Sequence, residues 1–185
     1  MTCKTALKGK ITMKFDSSIV QTAFQSPLGR MTLAATDAGL AGVWFDGQRH
    51  LPPELSTASR WPHNAKHPVL IKTAAQLAQY FAGQRRVFDL TLDFWGGTVF
   101  QQRVWQALLS IAPGHTTSYG NMSRAIANPT AVRAEGAAVG RNPISIIVPC
   151  HRVLGADGSL TGYAGGLDRK TALLKLEGAL IKDLF

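Results

Sequence analysis

Long apolar runs are missing from this 185-residue sequence. Nowhere do eighteen or so apolar residues follow one another, which excludes a membrane-spanning helix. Cysteine is scarce as well. Cys3 and Cys150 are too few for a disulfide framework, and two thiols so far apart fit a reducing, cytosolic setting. The basic stretch from Met1 to Lys14 lacks the continuous apolar centre of a secretory signal. Acidic residues are in short supply, 11 against 20 Lys and Arg, leaving a net charge of +9. The expected partner is therefore anionic, with nucleic acid foremost, although solubility is the plainer use of the same charge. No five like charges adjoin, so any electrostatic footprint must be assembled by folding. Internal repeats and low-complexity segments are absent too. With 45% hydrophobic and 17% charged residues, the chain can still build the core of one ordinary domain or two small ones.

Residues 19–46 alternate in the manner of strands, with turns at Ser26-Pro27-Leu28-Gly29 and Asp37-Ala38-Gly39, and predict a three-stranded meander. A proline-bearing loop covers Arg49–Asn64. The spacing then predicts a helix from Pro68 to Phe81, with Leu70, Ala74, Leu77, Ala78 and Phe81 on one face and Gly83 as its stop. Phe88, Leu90, Leu92 and Phe94 alternate with polar residues and predict one more strand. At Gly97 the period changes from two to about 3.6 residues. This marks a division into domains of residues 1–97 and 98–185.

Phe100, Val104, Ala107, Leu108 and Ile111 then fit a helix face ended by Pro113-Gly114. Short helices at about 119–127 and 130–140, separated by Asn128-Pro129, give the outline of a helix-turn-helix. A last helix starts near Asp168, a candidate N-cap, and ends at Glu177 before Gly178.

Three features bear on chemistry. The second helix of the pair is almost without bulk: Ala131, Ala134, Gly136, Ala137, Ala138 and Gly140 line it, and each interior glycine costs about 1 kcal/mol relative to alanine. Such a backbone is made for close approach, to another helix or to a nucleic-acid groove. Arg133 is the long cation on its central turns. Second, the apolar run Ile146-Ile147-Val148, expected as a buried strand, feeds Pro149-Cys150-His151-Arg152. A cysteine is by default a small buried hydrophobe. Here, however, His151 and Arg152 offer a proton acceptor and positive charge, which lower a thiol pKa and make a nucleophile. Third, Glu177 sits in the last turn of its helix, where the macrodipole opposes a carboxylate by about 0.3–1 kcal/mol. It is either an exposed surface residue or the group that orients an imidazole.

Together these residues resemble the O6-alkylguanine-DNA alkyltransferases, the methylated-DNA–protein-cysteine methyltransferases of stand-alone bacterial type. The resemblance is carried by Gly97-Thr98-Val99-Phe100-Gln101, Val104-Trp105, Thr117-Ser118-Tyr119-Gly120, Asn142-Pro143-Ile144, Ile147–Val153, Thr161–Gly166 and Glu177-Gly178, in order and at the right spacing. Weaker likeness extends back through Gln76–Asp93 and Ser26–Phe45.

The resemblance implies an α+β protein: an N-terminal RNase-H-like sheet domain followed by a helical domain with a helix-turn-helix. It implies direct DNA repair by base flipping and irreversible, single-turnover alkyl transfer from O6-alkylguanine, and from O4-alkylthymine, to Cys150. His151 would take the thiol proton through a water, Glu177 would orient His151, and Asn142 would brace the turn. Tyr119 would crowd the 3′ phosphate and protonate the leaving base. Arg133 would fill the stack that the flipped base leaves, with Ala131, Ala134, Gly136, Ala137 and Arg141 against the minor groove. The Val153 carbonyl, the Tyr163–Ala164 backbone and Arg152 would wall the base pocket. The implied partner is double-stranded DNA bearing alkylated guanine, bound by a monomer, with clustering along DNA left open. No membrane and no cofactor are implied.

Three positions depart from the family pattern. Relatives that hold zinc in the N-terminal domain use two cysteines and two histidines, and here Cys3 stands alone, so no metal is expected. Ala164 replaces a frequent serine, and Glu135 stands where valine is usual. Glu135 is expected to face inward or sideways beside Val132, Ala138 and Val139, with Arg124 the nearest candidate partner in sequence. Two alternatives remain: a catalytically silent binder of alkylated DNA, or a cysteine hydrolase that turns over.

Overall fold

The computed structural model describes residues 16–55, 61–94, 96–126 and 132–180. Strands β1 (Val20–Ser26), β2 (Gly29–Thr36) and β3 (Gly39–Phe45) form an antiparallel meander. Each two-residue loop, Pro27-Leu28 and Asp37-Ala38, is followed by a glycine with positive φ that opens the next strand, Gly29 at 115° and Gly39 at 152°. Helix α1 (Pro68–Phe81) has the expected bounds and packs on the sheet. Its inward face is rotated from the expected one: Leu70, Thr73, Gln76, Leu77 and Tyr80 are buried, whereas Ala78 is exposed. An apolar periodicity does not register buried polar side chains that have partners. Gln76 is such a case, its amide donating to the Asp89 carbonyl at 3.0 Å and accepting from the Asp89 N–H at 2.9 Å.

The strand expected at 88–94 does not form as a strand. It meets the sheet at a single parallel bridge, where Leu40 N–H donates to the Thr91 carbonyl at 2.9 Å and Asp93 N–H to the Leu40 carbonyl at 2.8 Å. The reason is that the outer edge of β3 is shared. Farther along, Val43 N–H donates to the Pro143 carbonyl and Ser145 N–H to the Val43 carbonyl, both at 2.9 Å. On the opposite side, β1 exchanges bonds with Pro62 and Asn64. Both edges of this small sheet thus carry short contacts, at Gln21 on one side and at Leu40 and Val43 on the other, which blunt edge-to-edge pairing.

Gly97 packs under an indole, and a Cβ there would lie 2.3 Å from the Trp105 ring. Helix α2 (Val99–Leu108) starts with a capping box between Thr98 and Gln101. It stops short of the expected Ile111 and buries Trp105 beside Val104 and Leu108. A two-residue strand β4 (Thr117–Ser118) pairs in parallel with β5 (Val153–Leu154). Helices α3 (Tyr119–Ala125) and α4 (Val132–Gly140) are the expected pair, and their Asn128-Pro129 connection lies outside the described residues. Helix α5 (Leu167–Glu177) takes Gly166 rather than Asp168 as its N-cap, and Gly178 closes it in the left-handed conformation.

One apolar cluster joins the two halves. Met31, Leu33, Val43 and Phe45 from the sheet pack in the same core as Trp105, Val139, Ile144 and Val148. The 143–145 segment therefore reaches the reactive turn from the edge of β3 itself.

Candidate functional site

The apolar run 146–148 is not a strand. It winds through successive turns, with Ile146 at φ 72°, and leads by way of Pro149 into a single 3-10 turn of Cys150–Arg152. Asn142 explains the winding. Its buried amide donates to the Val148 carbonyl at 2.8 Å and to Cys150 Sγ at 3.1 Å, and its Oδ1 accepts from Ile144 N–H at 2.9 Å. A side chain thus supplies what a neighbouring strand would otherwise give.

Cys150 is only 4% exposed. Burial pushes its thiol up to about 11, against the opposing pull of the Asn142 amide and the Lys170 charge. The resting thiol is therefore protonated, contrary to the expectation that His151 and Arg152 lower its pKa. Arg152 is committed elsewhere. Its Nε donates to Glu177 Oε2 at 2.7 Å, its Nη2 to Glu177 Oε1 at 2.9 Å, and its Nη1 to the Ile111 carbonyl. Its guanidinium clamps the Glu177 carboxylate.

His151 is fully buried, and burial pushes its pKa down, leaving a neutral imidazole. Its Nε2 lies 2.9 Å from Glu177 Oε1. Since an ionised carboxylate only accepts, Nε2 carries the proton and Nδ1 the lone pair. Nδ1 has no partner among the described residues. Glu177 is buried rather than on the surface. Burial works against its charge, but the hydrogen bonds from His151 and Arg152 outweigh it and hold the carboxyl well below the usual range.

Two members of this network escape a reading of the sequence. Tyr80, from α1, donates to Glu177 Oε1 at 2.8 Å. Lys170 is fully buried and its ammonium donates to the carbonyls of Val153 and Thr161, with burial pushing its pKa down to about 8. The signal for Lys170 was available: Lys170, Leu173, Leu174 and Glu177 repeat at helical spacing and form the buried face of α5. Tyr80 likewise repeats at helical spacing with Leu70, Thr73 and Leu77 on the buried face of α1, but its partner, 97 residues away, had no local signal.

Next to this network a cavity of about 240 Å³ is lined by Tyr119, Gly136, Ala137, Arg141, Tyr163 and Ala164, among others. It brings together residues expected for DNA and for the base. Cys150, Val153 and Arg152 are not on its lining. Tyr119 donates to the Gly162 carbonyl at 3.2 Å, tying α3 to the 161–166 segment. Arg49, from the loop after β3, braces the same segment through the carbonyls of Tyr163 and Ala164. On α4, Arg133, Ala134 and Ala137 are exposed, whereas Glu135 faces inward and is fully buried. Ala138 and Val139 are buried beside it, but Val132 is exposed. The Ser123 hydroxyl, not Arg124, donates to Glu135 Oε2; Arg124 turns to Asn121. Ala131 lies outside the described residues.

Residues 19–94 match the family model of the 6-O-methylguanine DNA methyltransferase ribonuclease-like domain, and residues 99–179 that of the 6-O-methylguanine DNA methyltransferase DNA binding domain. A methylated-DNA–protein-cysteine methyltransferase of Mycobacterium tuberculosis strain H37Rv is 48% identical over 153 residues, 82% of this chain and 88% of that protein. The chain belongs to the methylated-DNA–protein-cysteine methyltransferases.

A member of the same family from Methanosarcina acetivorans is 46% identical over 157 residues, 84% of this chain and 96% of the relative. A crystal structure of the M. tuberculosis OGT in complex with DNA superposes with a TM-score of 0.75 at 44% identity, covering 87% of this chain and 92% of the other. The two-domain architecture of the methyltransferases, ribonuclease-like then DNA-binding, is that of this chain.

Proposed function

We propose that this protein repairs DNA directly, moving the alkyl group of O6-alkylguanine, and of O4-alkylthymine, onto its own Cys150. The observation that carries the reading is a buried Cys150 held by Asn142, adjoining in the same turn a His151 bonded to Glu177 with its Nδ1 left open, beside the cavity under helix α4. Double-stranded DNA is the partner. Helix α4, with the small residues Ala134, Gly136 and Ala137, approaches the minor groove, and Ala131 and Arg141 flank that contact. Arg133 occupies the stack while the damaged base is turned out, an extrusion costing a few kcal/mol. The carbonyl of Val153 and the backbone of Tyr163–Ala164 read the edge of the base.

In the transfer, the thiol proton passes through a water to Nδ1 of His151, whose Nε2–H stays directed at the Glu177 carboxylate. The sulfur lone pair forms the S–C bond as the C–O6 bond breaks, and the departing electron pair stays on guanine. Tyr119 gives guanine N3 its proton. The product is a thioether, which water does not cleave, so each copy acts once. Division at Gly97 gives a sheet domain of residues 1–97 and a transfer domain of 98–185, working as a monomer in the cytoplasm.

The test is one exposure to a duplex oligonucleotide containing O6-methylguanine, followed by peptide mass measurement. A stable gain of one methylene on the Cys150 peptide supports the reading. An unchanged peptide means a silent binder, and repeated turnover on an ester or amide means a cysteine hydrolase; either overturns it.

A further inference from the structure

We propose that Tyr80 is a positioning residue of the transfer reaction: its hydroxyl sets how strongly Glu177 draws on the proton of His151. The inference rests on the reading of Cys150 as the alkyl acceptor. Tyr80 lies in the last turn of α1 and is buried, with its ring centroid 5.4 Å from that of Phe81 and 5.5 Å from that of Phe88. Its donor therefore comes from the core of the N-terminal half. It reaches the same carboxylate oxygen that serves His151, Oε1, at 2.8 Å.

Glu177 does not depend on this bond for its place. Arg152 holds both carboxylate oxygens in a fork and is itself tied to the Ile111 carbonyl. Nor does it depend on Tyr80 for its charge, which the adjacent guanidinium already favours. What Tyr80 adds is one more donor on Oε1. Each donor to a carboxylate oxygen draws off electron density and lowers its basicity. A less basic Oε1 stabilises an imidazolium less, so His151 takes the thiol proton less readily. Tyr80 is thus a restraint on the relay, exerted from the other half of the molecule. It is not a proton source, because burial first, and then the Glu177 charge, push its own pKa far above that of an ordinary tyrosine.

The other groups that act on this centre are few. Cys150 and Arg152 share the turn with His151, Lys170 acts on it from α5, and the Tyr163 ring stands at 77° to the imidazole with centroids 6.4 Å apart. Tyr119 senses Cys150 from α3, and Arg85 and Arg86 border the crevice outside Glu177. None of these except Arg152 and His151 has a hydrogen bond to Glu177, so the Tyr80 bond can be altered alone.

The experiment is the pH dependence of Cys150 methylation by free O6-methylguanine base, read from the mass of the Cys150 peptide in the full chain. Tyr80→Phe is expected to move the midpoint down by about half a pH unit, which is about a threefold faster reaction on the acid side. A midpoint that stays or rises overturns the proposal. Replacing Tyr80 by 3-fluorotyrosine keeps the ring and the bond but strengthens the donor, and is expected to move the midpoint up. This second variant decides the matter should Tyr80→Phe fail to fold, and an unmoved midpoint there overturns the proposal as well. The two readings fail differently. Wild-type protein that gains no methyl on Cys150 removes the function itself, whereas wild type that reacts with the same midpoint as both variants removes only the role of Tyr80.

Discussion

Two glutamates are buried in the transfer half of the molecule, and they are treated in opposite ways. Glu177 receives two bonds from Arg152, one from His151 and one from Tyr80, and is held ionised. Glu135, on the inner face of α4, receives one hydroxyl from Ser123, and its other oxygen has no partner among the described residues. Burial pushes its carboxyl up, toward the neutral form. Depth is similar in the two places, and the donors decide the charge. A fixed anion beside an imidazole can direct a proton. A carboxyl with one hydroxyl for company has no such use, and it is a cost to the helix that carries it.

The largest effect tests whether the relay serves a nucleophile at all. Cys150→Ser is expected to abolish transfer while leaving DNA affinity within a few-fold, and residual transfer above about one per cent of wild type removes the assignment. Next comes the anion itself. Glu177→Gln keeps the shape but not the charge, and should slow Cys150 alkylation about a hundredfold near pH 7, in the range of lost acid–base assistance. The pH–rate curve of thiol alkylation, displaced upward in the variant, is the measurement.

Arg133→Ala addresses the other region. It should slow repair of duplex DNA about tenfold or more, the scale of an extrusion cost, with little change in the reaction of free O6-methylguanine base. Equal slowing on both substrates would place Arg133 in the chemistry or the fold.

The smallest effect sharpens the contrast between the carboxyls. Glu135→Val should stabilise the free protein by about 1–2 kcal/mol, the range for removing a poorly satisfied buried polar group, and urea melts measure it. The pH dependence has opposite signs at the two sites. The depressed carboxyl of Glu177 contributes stability that is complete above the unfolded value of about 4.3 and is lost as pH falls through its folded value. The raised carboxyl of Glu135 favours the fold at acid pH, and that contribution disappears as pH rises from the unfolded value through the folded one. Glu135→Gln, which retains a group for Ser123, should therefore flatten the loss on the neutral side. A variant with an unchanged slope would mean that Glu135 is as well served as Glu177.

The meander and the bounds of α1 were legible in the sequence because each is fixed by neighbours in the chain. What escaped was set from far away. The 88–94 segment has the alternation of a strand, but the edge it would occupy is shared with Pro143 and Ser145. The run Ile146–Val148 has the composition of a buried strand, but its Ile147 and Val148 N–H groups close turns on Ser145 and Ile144, and Asn142 takes the Val148 carbonyl. The clamp of Arg152 on Glu177 joins residues 25 apart and has no local signature. Ala78 reads as core because alanine counts as apolar, while Gln76 and Tyr80 owe their burial to partners at Asp89 and Glu177.

The burial of Cys150 has a consequence for how the protein keeps between uses. Oxidation of cysteine to sulfenic acid and beyond follows thiolate character and access. At 4% exposure and with its pKa pushed up to about 11, Cys150 offers neither to a passing peroxide. For a reagent consumed one molecule at a time, each sulfur lost to a stray oxidant is a repair event lost. The low reactivity of the resting sulfur is thus a form of storage, which keeps the dose intact until a lesion arrives.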